Sequence, residues 1–134
     1  MFVFDTRLRV RYGETDQMGY VYYGNYAEYF EVGRVEALRE LGFSYAKLEQ
    51  EGVLLPVLEY TIKYIKPAKY DDELIIRTTI ASLKGPRIHF TYEVLSATEE
   101  LLTIAETTLV FMSGETNRPC RPPEALQQRL AEIS

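Results

Sequence analysis

Apolar residues recur at every second position of Arg7-Leu8-Arg9-Val10-Arg11-Tyr12, with Leu8, Val10 and Tyr12 on one face and three arginines on the other. That period predicts a half-buried β-strand. Further along, Tyr26, Phe30, Gly33, Ala37 and Leu41 recur at helical spacing, which predicts a helix with one apolar stripe ending near Leu41. Gly33 and Ala37 are small enough to let a sheet come close. Asn25-Tyr26-Ala27-Glu28 has the order of a capping box, with the Asn25 side chain accepting from the first turn, and Gly42 is a common residue just past a helix end. Phe43 to Gly52 reads as a short second helix or an irregular link.

The remainder is mostly strand. Tyr60, Ile62 and Tyr64 alternate with their neighbours, and Pro67 then suits a bend or a sheet edge. Leu74, Ile76, Thr78 and Ile80 line one side of the next strand, which stops at the Lys84-Gly85-Pro86 turn; Ile88, Phe90, Tyr92 and Val94 line the one after it. A long run from Leu101 to Met112 follows, and Pro123 opens a final short helix reaching Leu130. The order is strand, long helix, then four strands read as a meander. It predicts an α+β domain with one amphipathic helix against an antiparallel sheet.

Composition narrows the classes. The chain has 134 residues, one domain's worth, and 46% hydrophobic against 26% charged residues marks it as globular. A net charge of −5 argues against non-specific nucleic-acid binding, although local cations can still hold a phosphate-bearing small molecule. The single cysteine, Cys120, forms no intrachain disulfide. Asp5 and Arg7 bring charge before any signal-length apolar stretch, and nothing approaches the ~20 apolar residues of a membrane span. These features read as a cytoplasmic protein.

The chemistry concentrates in Tyr12 to Tyr26, where a strand gives way to an acid-bearing loop and then to the helix. A helix N-terminus offers unpaired N–H groups and positive dipole charge, which stabilise an oxyanion. Asp16 thus stands a few residues before a ready oxyanion site. Elsewhere the ordinary readings hold. Glu14 reads as surface, Glu31 and Arg34 as a surface ion pair, His89 as a half-exposed strand residue, and Cys120 as an unreactive thiol. No metal-site spacing is present.

With Tyr12, Thr15-Asp16, Gly19-Tyr20-Val21-Tyr22-Tyr23, Asn25-Tyr26, Glu31, Arg34, Tyr64-Ile65-Lys66-Pro67-Ala68 and Tyr70-Asp71-Asp72-Glu73-Leu74 in place, the chain resembles the 4-hydroxybenzoyl-CoA thioesterase family. The likeness spans roughly Arg7 to Met112. It implies the hot-dog fold, a five-stranded antiparallel sheet wrapped around one long helix, over residues 1–134 as a single domain. It also implies an acyl-CoA thioesterase in which Asp16 acts as nucleophile or as base for water, and the Tyr23 N–H polarises the carbonyl oxygen. Gly19, Tyr20, Tyr22 and Asn25 would contact substrate, and Lys84 and Arg87 would meet the CoA phosphates. The same resemblance implies a homodimer or a tetramer of paired dimers, with no metal and no cofactor apart from the CoA of the substrate. One departure stands out: many relatives carry histidine where this chain has Tyr23, so a backbone role survives there and an imidazole proton shuttle does not. Two other functions fit the same fold. A hydratase or dehydratase would need His89, and an acyl-CoA-binding or scaffold protein would need no chemistry at all.

Overall fold

The computed structural model describes residues 1–133. Strand β1 (Phe2–Arg9) turns Phe2, Phe4, Thr6 and Leu8 inward and leaves alternate residues exposed, so the predicted period begins at Phe2 rather than Arg7. It also ends sooner. Val10 is buried and exchanges backbone hydrogen bonds with Asp71 and Asp72, after which a 3-10 turn (Tyr12–Glu14) carries the Tyr12 ring into solvent.

A second 3-10 turn (Tyr23–Asn25) runs directly into helix α1 (Tyr26–Glu40). The predicted capping box is absent for that reason: Asn25 already has helical angles, φ −77° and ψ −18°, whereas a capping side chain needs an extended backbone. The helix buries Tyr26, Tyr29, Phe30, Gly33, Arg34, Ala37 and Leu38. Its other end closes as expected. Gly42 takes φ +95°, its N–H donates to Arg39 O, and the Phe43 N–H reaches Leu38 O at 2.8 Å. Helix α2 (Tyr45–Gln50) follows, capped by Ser44.

The remaining elements are β2 (Val53–Leu54), β3 (Val57–Tyr64), β4 (Glu73–Lys84), β5 (Arg87–Ser96), β6 (Leu101–Val110), β7 (Met112–Ser113) and helix α3 (Glu124–Glu132). Five of the strands form one antiparallel sheet in the order β1-β4-β5-β6-β3, and β2 and β7 form a separate small pair. The four later long strands are therefore not a simple meander. Only β4, β5 and β6 are; β3 lies beyond β6, and β1 takes the place beside β4. Outer-face charges help to hold β1 there, with Arg77 gripping both oxygens of Asp5 at 2.9 Å.

The inner face carries Leu74, Ile76, Thr78, Ile88, Phe90, Tyr92, Val94 and Leu109, all essentially sealed from solvent, and α1 packs across β1 and β4. This is the hot-dog arrangement the resemblance implies. Gly33 makes the close approach possible: a Cβ there would lie 2.4 Å from Thr78 Oγ1. The edge strand β3 is different, because Val57, Leu58, Tyr60 and Tyr64 are each 39–49% exposed.

Candidate active site

The loop between β1 and α1 is a miniature hairpin. Thr15 and Val21 pair across it, the Asp16 N–H donates to Tyr20 O at 2.8 Å, and the Gly19 N–H donates to Asp16 O at 2.9 Å. Gly19 sits at φ +79°, a conformation that most side chains resist. The Asp16 carboxylate joins the turn through one oxygen only, Oδ1 accepting from the N–H groups of Met18 (2.9 Å) and Tyr20 (3.2 Å). Its Oδ2 has no partner among the described residues.

Beneath the hairpin, the crossover from β3 to β4 supplies the floor: Val21 N–H donates to Ala68 O at 2.8 Å, and Tyr20 bridges to Lys69. On the other side Glu14 is the anchor, not the surface residue its sequence context suggests. It is buried, and its carboxylate accepts from the Arg11 N–H at 2.9 Å, the Arg11 Nε–H at 3.1 Å and the Tyr29 hydroxyl at 2.8 Å. Its backbone O receives the Tyr22 N–H at 2.8 Å and the Asn25 side-chain amide at 2.9 Å.

Burial alone would raise the Glu14 pKa, but the hydrogen bonds from Arg11 and Tyr29, with the Arg11 charge, bring the net shift below the ordinary carboxylate value. A depressed folded-state pKa gives stability that is complete above the unfolded value near ~4.3 and lost as pH falls through the folded one. Glu14→Gln is therefore expected to be less stable at neutral pH by about 1–2 kcal/mol. The melting temperature of the wild type should fall more steeply than the variant's on acidification below about pH 5, and parallel curves would remove the anchor role.

The hairpin, the start of α1 and the crossover enclose a cleft of about 410 Å³. Asp16, Tyr20 and Tyr23 line it, together with Tyr26, Tyr64 and Pro67. At the helix entry the first hydrogen bond of the turn runs from Asn25 N–H to Tyr22 O at 2.9 Å, so the N–H groups of Tyr23 and Gly24 precede it without a partner in the turn. The Tyr23 ring is 65% exposed and lies 4.5 Å from that of Tyr22. Gly19, Tyr22 and Asn25 build the loop and do not line the cleft within one chain.

Lys84 and Arg87 face each other across the β4–β5 turn, away from the cleft and without a carboxylate partner among the described residues. His89 is also remote. It points outward from β5, its ring bonded to Thr108 at 2.9 Å and Glu106 at 3.1 Å, which leaves the hydratase reading without its histidine. Arg34 is not in a surface ion pair with Glu31; it is 6% exposed and donates to Tyr92. Among the described residues no cluster of His, Cys, Asp or Glu could hold a metal, and no helix is long and apolar enough to cross a membrane. The sequence did not assign Tyr64, at the end of β3, or Pro67, in the crossover, to the site, although their segment carries part of the family resemblance.

Residues 10–130 match the family described as the Thioesterase-like superfamily. The acyl-CoA thioester hydrolase YbgC of Escherichia coli is 35% identical over 119 residues, covering 89% of each chain. Among solved structures, a DHNA-CoA thioesterase from Staphylococcus aureus superposes with a TM-score of 0.94 at 32% identity, over 99% of this chain and 91% of that one. A 1,4-dihydroxy-2-naphthoyl-CoA thioesterase from Synechocystis, at 22% identity and a TM-score of 0.90, shares the fold. With a family match across most of its length and a close relative covering nearly all of it, the chain belongs to the thioesterase-like superfamily.

Proposed function

We propose that this chain is an acyl-CoA thioesterase of the cytoplasm whose chemistry is carried by Asp16 and the amides that open α1. The observation that carries this reading is that one cleft is lined both by Asp16, whose carboxylate is half free, and by Tyr23, whose N–H precedes the first hydrogen bond of the helix entry. A thioester carbonyl seated there has its oxygen on the Tyr23 N–H, where negative charge develops as the carbon becomes tetrahedral. Oδ2 of Asp16 either attacks that carbon or takes a proton from a water that attacks it. In the first route the C–S bond breaks to release CoA thiolate and leave a mixed anhydride, which water then hydrolyses. In the second the tetrahedral carbon expels the CoA thiolate, which takes up a proton. Both routes end in a carboxylic acid and free CoA. Neither needs an imidazole, which suits a chain with tyrosine at position 23. Release of free thiol from acyl-CoAs by the purified protein tests the reading, with Asp16→Asn as its control.

The active unit in this reading is a homodimer. β3 bonds to β6 along one side only, and an eight-residue edge with exposed Val57, Leu58 and Tyr60 is an open template for another strand. A twofold pairing of two such edges would continue the sheet from one protomer into the next. It would also give the Lys84 and Arg87 pair of each protomer a route to the partner's substrate, where their charges suit CoA phosphates. Sedimentation should then return a mass of two 15.5 kDa chains. Leu58→Lys sets like charges against each other at such an edge, so it should shift the protein to monomer and lower turnover with it; a monomeric wild type sinks the proposal.

A further inference from the structure

Asn25 neither lines the cleft within one chain nor caps α1. Its side-chain amide turns back to the loop and donates to Glu14 O at 2.9 Å. The same oxygen accepts the Tyr22 N–H at 2.8 Å, so this one carbonyl has both of its lone pairs engaged by the helix entry. The two donors stand on either side of Tyr23 and Gly24, the residues whose N–H groups precede the first hydrogen bond of that entry. A two-residue arch with both feet on one atom has little freedom to tilt.

That atom belongs to the segment that carries Asp16. Thr15 pairs with Val21 and the Asp16 N–H is held by Tyr20 O, so the chain from Glu14 to the carboxylate is already fixed by the hairpin. In the other direction the Tyr23 N–H lies one residue beyond the Tyr22 donor. The Glu14 side chain adds a second grip on the helix. Its carboxylate takes the Tyr29 hydroxyl, which is one turn beyond Asn25 on the same face, and so fixes the rotation of α1 about its axis as well as its approach. The Tyr22 ring closes the third side, since a Cβ on Gly24 would lie 2.9 Å from its Cε2.

We propose that Asn25 is a positioning residue, which sets the Tyr23 amide against the Asp16 carboxylate, and not the substrate contact that the family resemblance implies. The inference rests on the thioesterase reading and adds a residue to its machinery. The position calls for a donor. Aspartate has the same shape without one, and would set a carboxylate oxygen against the Glu14 carbonyl. Helix energetics point the other way, because an acid at a helix start is favoured by the dipole. Folding and positioning therefore make opposite predictions for Asn25→Asp. With the amide gone, one foot of the arch is free and the Tyr23 N–H turns away from the place where the oxyanion forms.

Asn25→Asp and Asn25→Ala should each lower kcat on hexanoyl-CoA and benzoyl-CoA by about tenfold to a hundredfold, with KM and the affinity for the matching hydrolysis-resistant thioethers within about twofold of wild type. A substrate contact would do the reverse, raising KM at constant kcat. Alanine removes the donor without adding charge, so agreement between the two variants excludes an effect of the charge itself. The bound carbonyl supplies a readout that loss of stability alone does not move. In Asp16→Asn the substrate is held unhydrolysed, and difference infrared spectra with an isotope-labelled thioester carbonyl should place its stretch at lower wavenumber than in the free ligand. Adding Asn25→Ala should return the band toward the free position. A band that stays put in the folded double variant overturns the inference and leaves the thioesterase reading standing, as does an unchanged kcat in both single variants. A band already at its free position in Asp16→Asn alone counts against the Tyr23 N–H as oxyanion donor, and removes the inference with it.

Discussion

Asp16→Asn is expected to lower kcat by about 10³–10⁴ while leaving the fold and the affinity for acyl-CoA nearly unchanged. The separation is possible because the proposed mechanism gives Asp16 two distinct jobs. Oδ1 accepts from the N–H groups of Met18 and Tyr20, and an asparagine carbonyl oxygen can accept both bonds in the same place. The hairpin should therefore close as before, with Gly19 still in its left-handed turn. The second job belongs to Oδ2, which becomes an amide nitrogen with neither nucleophilic nor basic character. The amides of Tyr23 and Gly24 are untouched, so residual hydrolysis above the uncatalysed rate should persist. The check is steady-state thiol release beside circular dichroism and melting curves of both proteins. A folded variant that turns over at more than a tenth of the wild-type rate would remove Asp16 from the chemistry.

Much of this architecture was legible in the sequence because short-range period writes it there. The helix stripe of Tyr26, Phe30, Gly33 and Ala37 and the inward rows of β4 and β5 are consequences of geometry within a few residues. The placement of Asp16 just before a helix entry was legible in the same sense, since its turn and that entry are neighbours in the chain. What escaped is set by partners far apart in sequence. Nothing local says that β3 pairs with β6 rather than β4, because strand period fixes which face is buried and not which neighbour is taken. Glu14 looks like any loop acid until Tyr29, fifteen residues later, donates to it. Arg34 three residues after Glu31 has the spacing of an ion pair, yet the direction of the inner helix face turns it toward Tyr92. The capping box failed through a local competitor, the 3-10 turn that gives Asn25 helical angles before α1 begins.

Gly33→Ala should destabilise the protein by about 2 kcal/mol, contrary to the effect of the same change on an exposed helix. Alanine is the better helix former by about 1 kcal/mol, so propensity alone favours the variant. Packing opposes it. The added Cβ would lie 2.4 Å from Thr78 Oγ1 and 3.0 Å from Ile76 Cγ2. Both neighbours are β-branched residues on β4, a strand flanked by β1 and β5, and neither can move far. Overpacking of this kind costs about 1–3 kcal/mol, and so close a contact belongs at or beyond the upper end of that range. The melting temperature should fall by about 5 °C or more. Thr78 Oγ1 has no hydrogen-bond partner, so it can be removed without stranding another group. In a Thr78→Ala background the worst collision is gone, the helix-forming advantage remains and only the 3.0 Å approach to Ile76 Cγ2 opposes it, so Gly33→Ala should there cost much less. That non-additivity is the signature of direct contact. Equal penalties in the two backgrounds would mean that the helix seat is not set by this pair. Turnover should follow the single variant downward as well, because lifting α1 off β4 moves the Tyr23 amide and the Asp16 loop, which α1 carries at its N-terminal end.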